Sequence, residues 1–187
     1  MELPRPVFLI GFMASGKTTL GRALAAALPA ITFVDLDEAV EEYAGCSVSQ
    51  IFASRGEDGF RALESEMLRR KALPGTLIAC GGGTPCRAEN MDFMLSAGTV
   101  VRLEASVDTL VRRLLEADPD QRPLVKACIG SPGLLRQRVE QMISGRIPHY
   151  SRAPFVFDAE RLDDERQVAE AVERFTSQFL ASPSNNM

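Results

Sequence analysis

The chain has 187 residues, of which 45% are hydrophobic and 25% charged, and its formal net charge at pH 7 is -4. This length and composition suit the core of one globular domain. The acidic balance argues against nucleic acid as the main partner, because a phosphate backbone is bound by a basic surface. No stretch approaches about 18 uninterrupted apolar residues and the start lacks a signal-peptide pattern, so we expect a cytoplasmic protein without membrane contact.

The first elements predicted along the chain are a strand at Val7–Ile10, a glycine-containing loop and a helical segment at residues 20–28. The loop, GFMASGKT at residues 11–18, matches the phosphate-binding P-loop pattern G-x-x-x-x-G-K-[ST]. In that pattern backbone N–H groups face phosphate oxygens, Lys17 reaches the outer phosphates and the Thr18 hydroxyl binds Mg²⁺. The alternative is an ordinary strand-to-helix turn followed by a lysine on the helix surface.

Four further short apolar runs predict strands, at residues 31–34, 76–79, 99–103 and 154–157. Between them apolar residues follow helical spacing, as at Phe60, Leu63, Met67 and Leu68, and again at Leu110, Leu114 and Leu115. This alternation predicts a doubly wound α/β fold with a parallel sheet. Right-handed crossovers would then bring the P-loop and the loops after the other strands to one edge of the sheet.

Two acidic residues, Asp35 and Asp37, end the second predicted strand. If the chain stays extended there, the two-residue period of a strand points both carboxylates the same way. One could hold Mg²⁺ beside Thr18, and the other could accept a proton from an acceptor hydroxyl, which are the acidic roles in phosphoryl transfer. The alternative is that one of them only caps the helix that follows.

Arg61 and Glu64 are three residues apart on a predicted helix, close enough for the carboxylate to orient the guanidinium. A plain surface ion pair has the same spacing, and spacing alone favours it. The third strand leads into the glycines at residues 81–83, which let the backbone approach a small ligand, with a loose turn as the alternative.

Two arginines follow in the second half of the chain. Arg122 lies in an irregular segment, about residues 116–133, that we expect to be a mobile lid. A lid arginine can neutralise charge on a transferred phosphoryl group, whereas Arg146, at the end of a helical segment, suits bidentate capture of a carboxylate. Without further context, a solvated surface charge is the favoured interpretation of each arginine.

Cys46, Cys80, Cys86 and Cys128 show no C-x-x-C spacing, and the chain has a single histidine, His149. We therefore expect free thiols in a reducing compartment and no zinc site. Residues 181–187 form a polar tail that we expect to be disordered.

Taken in order, these motifs resemble the shikimate kinase family. The family pattern runs through most of the chain as Gly11-Phe12-Met13 with Gly16-Lys17-Thr18, Asp35-x-Asp37, Ile51-Phe52 with Gly56-Glu57, Phe60-Arg61 with Glu64, Gly81-Gly82-Gly83, Arg122-Pro123-Leu124 and Arg146-x-Pro148-x-Tyr150. The resemblance implies a three-layer P-loop kinase fold with helices on both faces of five parallel strands in the order 2-3-1-4-5. It also implies one domain over residues 1–180, with a substrate-binding segment at about 37–64 and the lid at about 116–133.

The activity that the resemblance implies is transfer of the γ-phosphoryl group of ATP to the 3-hydroxyl of shikimate, with Mg²⁺. We expect a monomer, but the sequence itself leaves the oligomeric state open. Carried over by position, Lys17, Asp37 and Arg122 would be catalytic, with Asp37 as the base. Nucleotide would be bound by Gly11, Ala14, Ser15, Gly16, Lys17, Thr18, Thr19 and Arg122, and the metal by Thr18 and Asp35. Shikimate would be bound by Asp37, Phe52, Phe60, Arg61, Gly81, Gly82, Gly83 and Arg146.

Some points stay open at this stage. Ala14 stands where the family usually has glycine, and alanine fits there if its φ is negative, on which basis we expect function to be retained. The adenine contacts could come from Arg152 or from residues 158–161. The alternative functions are another small-metabolite P-loop kinase, such as a gluconate kinase or a nucleotide kinase, and a nucleotide-binding module without catalysis.

Overall fold

The structure is a computed structural model that describes residues 3–117, 125, 128 and 130–180. Its centre is one sheet of five parallel strands in the order β2-β3-β1-β4-β5, which confirms the predicted order. The strands are β1 Val7–Ile10, β2 Thr32–Asp35, β3 Thr76–Ala79, β4 Thr99–Glu104 and β5 Phe155–Asp158. Each predicted strand is present, and the boundaries differ by one residue at most.

The helices that connect the strands are α1 Lys17–Ala27, α2 Leu36–Ala44, α3 Val48–Lys71, α4 Ala88–Ala97, α5 Val107–Glu116 and α6 Pro132–Tyr150, and α7 Glu165–Phe175 follows the last strand. A 3-10 turn at Thr84–Cys86 follows β3, and a five-residue π-helical segment at Thr176–Leu180 follows α7. The predicted lid at about 116–133 therefore overlaps the last residue of α5 and the first turn of α6. Arg122 and the tail at 181–187 lie outside the described residues.

Local sequence signals explain where these helices begin and end. The Ser47 side chain accepts a hydrogen bond from the backbone N–H of Gln50, and the Gln50 side chain accepts one from the backbone N–H of Ser47, which is a capping box at the start of α3. Gly45 ends α2 with φ +67°, a conformation that glycine adopts without a steric penalty. Gly56, at φ +69° and ψ -177°, kinks α3.

Two apolar clusters cover the two faces of the sheet. Successive residues of β1 point to opposite faces, so Phe8 belongs to one cluster and Leu9 to the other. Helices α2 to α6 pack on the Phe8 face, whereas α1 and α7 pack on the Leu9 face through residues such as Leu24 and Phe175. The molecule therefore has the predicted three layers. In the spacing predicted for α5, Leu110 and Leu114 are buried as expected, but Leu115 is exposed.

This topology determines where the functional side chains can lie. Because all strands are parallel, the loops after β1, β2 and β3 leave the same edge of the sheet, and β3 lies between β2 and β1. The P-loop, the Asp35 region and the glycine loop are thus neighbours in space. The four cysteines are free, as expected. No helix among the described residues is long and apolar enough to span a membrane.

Candidate active site

The P-loop lies between β1 and α1. Gly11 and Gly16 have φ values of +145° and +91°, so both positions need glycine. The Lys17 ammonium donates hydrogen bonds to the carbonyl oxygens of Gly11 and Phe12, at 3.1 and 2.9 Å. No side chain among the described residues caps the start of α1, so its first backbone N–H groups have no side-chain acceptor there. A helix N-terminus of this kind favours a bound phosphate.

Ala14 adopts a left-handed backbone conformation, with φ +61°, and is the only described residue other than glycine with a positive φ. The expectation of a negative φ at this position is therefore wrong. Ala14 is the third residue of a turn that is closed by a 3.2 Å hydrogen bond from the backbone N–H of Ser15 to the carbonyl oxygen of Phe12. Alanine pays a steric cost of roughly 1–2 kcal/mol there, because its Cβ approaches the following carbonyl.

We therefore predict that Ala14→Gly raises the free energy of unfolding by about 1 kcal/mol, since it removes this steric cost. The measurement is urea denaturation of the wild type and the variant. Ala25→Gly, within α1, is the matched control and should lower stability, since glycine is unfavourable inside a helix. Equal losses of stability in both variants would contradict the strain at Ala14.

Asp35 is the last residue of β2 and has two roles. One of its oxygens, Oδ2, accepts a hydrogen bond of 2.7 Å from the Thr18 hydroxyl. The other, Oδ1, accepts one of 3.1 Å from the backbone N–H of Asp37 and so caps α2. The expected extended chain through Asp37 is wrong, because α2 begins at Leu36 and Asp37 is already helical. Both acids nevertheless line the same cavity.

Asp37 lies in the first turn of α2, at the mouth of the cavity. Although the side chain stays accessible to solvent, the surrounding protein removes part of the hydration of its carboxylate, and together with the nearby charges of Asp35 and Glu64 this raises the pKa of Asp37 from 3.8 to about 6. The positive charges of Lys17 and Arg61 act in the opposite direction and lower it. A carboxylate with a pKa close to neutrality is suited to accept a proton.

Arg61 and Glu64 form a partly buried ion pair, so the surface-pair interpretation is wrong. Arg61 Nη1 lies 2.9 Å from Glu64 Oε2, and the Glu64 side chain is fully buried. The Arg61 guanidinium also lies over the ring of Phe60, 5.1 Å from its centroid. Phe60 stacks in turn on Phe52, with a centroid distance of 4.8 Å. Arg61 and the two stacked phenylalanine rings therefore form one continuous surface on α3.

Each glycine of the loop at residues 81–83 faces at least one charged side chain. A Cβ on Gly81 would lie 2.8 Å from Glu64 Oε1, and one on Gly83 would lie 2.5 Å from Arg61 Nη2. A Cβ on Gly82 would lie 2.9 Å from Arg146 Nη1. At distances this short an added methyl group would displace these side chains, so the loop is closely packed and is not a loose turn.

Gly83→Ala is predicted to displace the Arg61 guanidinium, and we expect the KM for an anionic acceptor to rise about 10-fold while the KM for ATP stays within twofold. Steady-state kinetics with each substrate varied in turn measures the effect. Gly145→Ala is the control, because nothing lies within 4 Å of a Cβ at that position in α6. A Gly83→Ala variant with both KM values unchanged would show that the loop tolerates the added methyl.

Arg146 approaches the glycine loop from α6. Its guanidinium lies over the ring of Phe12, 5.4 Å from the centroid. Its buried Nη1 atom has no hydrogen-bond partner among the described residues. The Tyr150 hydroxyl, four residues later, donates a 2.7 Å hydrogen bond to the Gly82 carbonyl and fixes the end of α6 against the loop. A buried guanidinium nitrogen without an acceptor favours an anionic ligand.

A cavity of about 420 Å³ lies between the P-loop, the two acids and the start of the glycine loop. The predicted site residues that line it are Ala14, Gly16, Lys17, Thr18, Thr19, Asp35, Asp37, Gly81 and Gly82. The other predicted residues that the structure describes are Gly11, Ser15, Phe52, Phe60, Arg61, Gly83 and Arg146. Gly11 and Ser15 belong to the P-loop, and the rest lie around Gly82, Gly83 and α3. The described part of the site thus forms one continuous region at the edge of the sheet.

Comparison with known proteins identifies the family. The family model described as shikimate kinase matches residues 13–176. The chain belongs to the shikimate kinase family. The shikimate kinase of Parabacteroides distasonis is 43% identical over 163 residues, which cover 87% of this chain and 92% of that protein. The shikimate kinase of Salinibacter ruber is 41% identical over 94% of this chain and 86% of its own length.

Solved structures agree with this assignment. The crystal structure of shikimate kinase from Bacteroides thetaiotaomicron has a TM-score of 0.85 and 38% identity, covering 92% of this chain and 96% of that one. Shikimate kinase from Acinetobacter baumannii in complex with shikimate has a TM-score of 0.77 and 28% identity, covering 92% of both chains. A gluconokinase from Sinorhizobium meliloti, at 15% identity and a TM-score of 0.52, shares the fold alone. The chain is thus a kinase of the shikimate kinase family, and the gluconate kinase and non-catalytic alternatives lose their support.

Sequence analysis missed Arg113, which also lines the cavity of this shikimate kinase family member. Its guanidinium donates to the carbonyl oxygens of Ala159 and Glu160, and it pairs with Asp163 at 2.8 Å. It thereby ties α5 to the loop after β5. The sequence signal for Arg113 was its position next to the predicted core residue Leu114. A guanidinium so close to the core needs hydrogen-bond acceptors.

The loop after β5 reaches the cavity at Leu162 and Asp163, just beyond the 158–161 stretch considered for adenine. Arg152, the other candidate, does not line the cavity and pairs with Asp92 at 2.6 Å. These positions favour the loop over Arg152 as the neighbour of a bound base.

Proposed function

We propose that this protein transfers the γ-phosphoryl group of ATP to the 3-hydroxyl of shikimate, giving shikimate 3-phosphate and ADP. The observation that carries the proposal is the placement of two guanidiniums, Arg61 and Arg146, against consecutive glycines of one loop, beside a cavity that the P-loop lines on its other side. Such a cavity suits two anionic ligands, one a triphosphate and the other a small acid.

The nucleotide end of the site is the P-loop and the start of α1. Backbone N–H groups of residues 11–19 would hold the phosphates, and Lys17 would reach the outer ones. Thr18 and Asp35 offer two oxygen donors joined by a 2.7 Å hydrogen bond, and the described residues contain no group of three or more His, Cys, Asp or Glu that could enclose a metal. This donor set fits Mg²⁺, which binds one or two protein oxygens and completes its coordination with water and phosphate. When bound there, Mg²⁺ would neutralise charge on the phosphates.

The acceptor end matches the chemistry of shikimate, which has one carboxylate and three hydroxyls. Arg61 and Arg146 would bind the carboxylate, since guanidiniums form paired hydrogen bonds with carboxylates. Backbone N–H groups of the glycines at 81–83 would add donors. The stacked rings of Phe52 and Phe60 would contact the ring of the substrate.

Asp37 lies between the two ends and would act as the base. Its carboxylate would accept the proton of the 3-hydroxyl as that oxygen forms its bond to the γ-phosphorus, and the bond to the ADP oxygen breaks. Lys17 would stabilise the charge on the transferred group. Arg122, which lies outside the described residues, would contribute a further positive charge from the lid. The monomeric state, the cytoplasmic location and closure of the lid stay predictions.

An ADP-release assay with a panel of acceptors tests the proposal. We expect turnover with shikimate, and background rates of ADP release with gluconate and with nucleoside monophosphates. Turnover with gluconate and none with shikimate would overturn the assignment of the acceptor. ADP release that no acceptor stimulates would overturn the kinase activity itself.

A further inference from the structure

The carboxylate of Glu64 is held by two donors, one on each oxygen. Oε2 accepts from Arg61 Nη1 at 2.9 Å, and Oε1 accepts from the Thr84 hydroxyl at 2.6 Å. Glu64 and Thr84 are both fully buried. A buried carboxylate loses its hydration, so each hydrogen bond to it contributes much to its position and its charge.

Thr84 is itself anchored from below. It is the first residue of the 3-10 turn after the glycine loop, and its carbonyl oxygen accepts a 3.3 Å hydrogen bond from the side-chain amide of Asn90, which is also fully buried. The other end of that amide accepts from Arg69 at 3.3 Å. The Thr84 hydroxyl therefore belongs to a buried, hydrogen-bonded base of the glycine loop.

Three oxygens of this region converge above Gly81. The position of a Cβ on that glycine is 2.8 Å from Glu64 Oε1, 3.2 Å from Asp37 Oδ1 and 3.2 Å from Thr84 Oγ1. Because both oxygens lie this close to one point, Glu64 Oε1 and Asp37 Oδ1 are at most about 6 Å apart. Glu64 Oε1 thus faces a second carboxylate, that of Asp37, and the Thr84 hydroxyl supplies the hydrogen-bond donor that this oxygen needs there.

Arg61 has a competing partner on the surface. Its Nη2 atom lies 3.4 Å from Oε1 of Glu57, whose side chain is 70% exposed. If Glu64 were free to rotate, the guanidinium could shift toward Glu57 and away from Gly83. The buried ion pair with Glu64 therefore holds Arg61 over the glycine loop, together with the contact of the guanidinium with the ring of Phe60.

We propose that Thr84 is a positioning residue for the acceptor site, because its hydroxyl fixes Glu64 and Glu64 in turn holds the Arg61 guanidinium where the substrate carboxylate binds. This inference rests on the proposed function, which places shikimate against Arg61. Thr84 itself does not contact the substrate, and its effect passes through two side chains. It would therefore act on acceptor binding and not on nucleotide binding.

Thr84→Val, which keeps the shape of the side chain and removes the hydroxyl, tests the proposal. We expect the KM for shikimate to rise about 10-fold, with the KM for ATP within twofold of the wild type, since a hydrogen bond to a charged group is worth about one such factor in affinity. Thr84→Ser, which restores the donor, should return the KM for shikimate to within about threefold. If Thr84→Val does not fold, Thr84→Ala replaces it, and we expect the same changes in the two KM values.

Thr109→Val is the matched control, because Thr109 is also a buried threonine whose hydroxyl donates to a carboxylate, that of Glu160, at a distance from the glycine loop. It should leave the KM for shikimate unchanged. In an Arg61→Ala background, Thr84→Val should raise that KM by less than twofold more, since the route through Arg61 is already lost. A further 10-fold rise there would overturn the proposal.

Two further outcomes distinguish a failure of the role of Thr84 from a failure of the proposed shikimate phosphorylation. Turnover of shikimate by the wild type, with an unchanged KM for shikimate in Thr84→Val or with equal rises for shikimate and ATP, would overturn the role of Thr84 alone. A wild-type protein that does not phosphorylate shikimate would overturn the proposed function together with this inference.

Discussion

Asp37→Asn is expected to lower kcat with shikimate by about 10²- to 10⁴-fold, the usual contribution of a general base. The amide cannot accept the hydroxyl proton, although it has the same shape as the carboxylate. ATP binding should change little, because the P-loop and α1 supply the contacts with the phosphates. Steady-state kinetics and equilibrium titration with ATP measure the two effects.

The same variant should be more stable than the wild type. The raised pKa, from 3.8 to about 6, shows that the folded protein disfavours the charged carboxylate. The shift corresponds to ~3 kcal/mol, and because the side chain is exposed at the cavity mouth we expect about 1 kcal/mol after solvent screening. That is a rise of about 3 °C in the unfolding temperature at pH 7.

The destabilisation by the charged Asp37 carboxylate depends on pH. Between pH 6 and 3.8 the folded protein binds a proton at Asp37 that the unfolded chain does not bind, so the destabilisation is complete above about pH 6 and disappears as the pH falls through this window. The advantage of Asp37→Asn should shrink in parallel. Asp58→Asn, at an exposed carboxylate in α3, should show neither the loss of kcat nor the gain in stability. Retained turnover in Asp37→Asn would remove Asp37 from the role of base.

Arg61→Ala is expected to raise the KM for shikimate about 100-fold and to leave the KM for ATP within about threefold. The reason is that a charge-assisted pair with a carboxylate contributes on the order of 3 kcal/mol, or two factors of 10 in affinity. Kinetics with each substrate varied in turn measures the difference. Arg55→Ala, at an exposed arginine of the same helix, is the control. Equal losses for shikimate and ATP would refute the assignment of Arg61 to the acceptor.

A loss of stability must be separated from the loss of binding in this variant. Removing Arg61 leaves the buried Glu64 carboxylate without its counter-charge, at a cost of roughly 3–5 kcal/mol. The double variant Arg61→Ala/Glu64→Gln removes that unpaired charge, so it should recover stability but keep the high KM for shikimate. Recovery of the KM as well would show that Arg61 acts on folding and not on the substrate.

The sheet and the P-loop were predictable because both follow from local patterns. Short continuous apolar runs such as Val7–Ile10 are typical of strands covered on both faces, and a parallel sheet brings their loops to one edge. The strand order came from the family resemblance, since local patterns do not determine how strands pair. The structure confirms the result.

Other features depend on contacts between distant segments, which spacing cannot reveal. Arg61 and Glu64 have the same three-residue separation whether they lie on a surface or against a loop, and only the packing of α3 on Thr84 and Gly81 buries the carboxylate. The φ of Ala14 was mispredicted because the loop, and not the preference of alanine, determines it. Thr84 carried no signal in the sequence, since its function comes from one hydrogen bond across 20 residues of chain.

The most direct test of the account is to identify the product. After incubation of the protein with ATP, Mg²⁺ and shikimate, ³¹P NMR correlated with ¹H should show ADP and one new phosphate monoester, coupled to the proton at carbon 3 of shikimate. An ester at another hydroxyl would contradict the placement of Asp37 beside the 3-hydroxyl. Inorganic phosphate without any ester would contradict the transfer reaction itself.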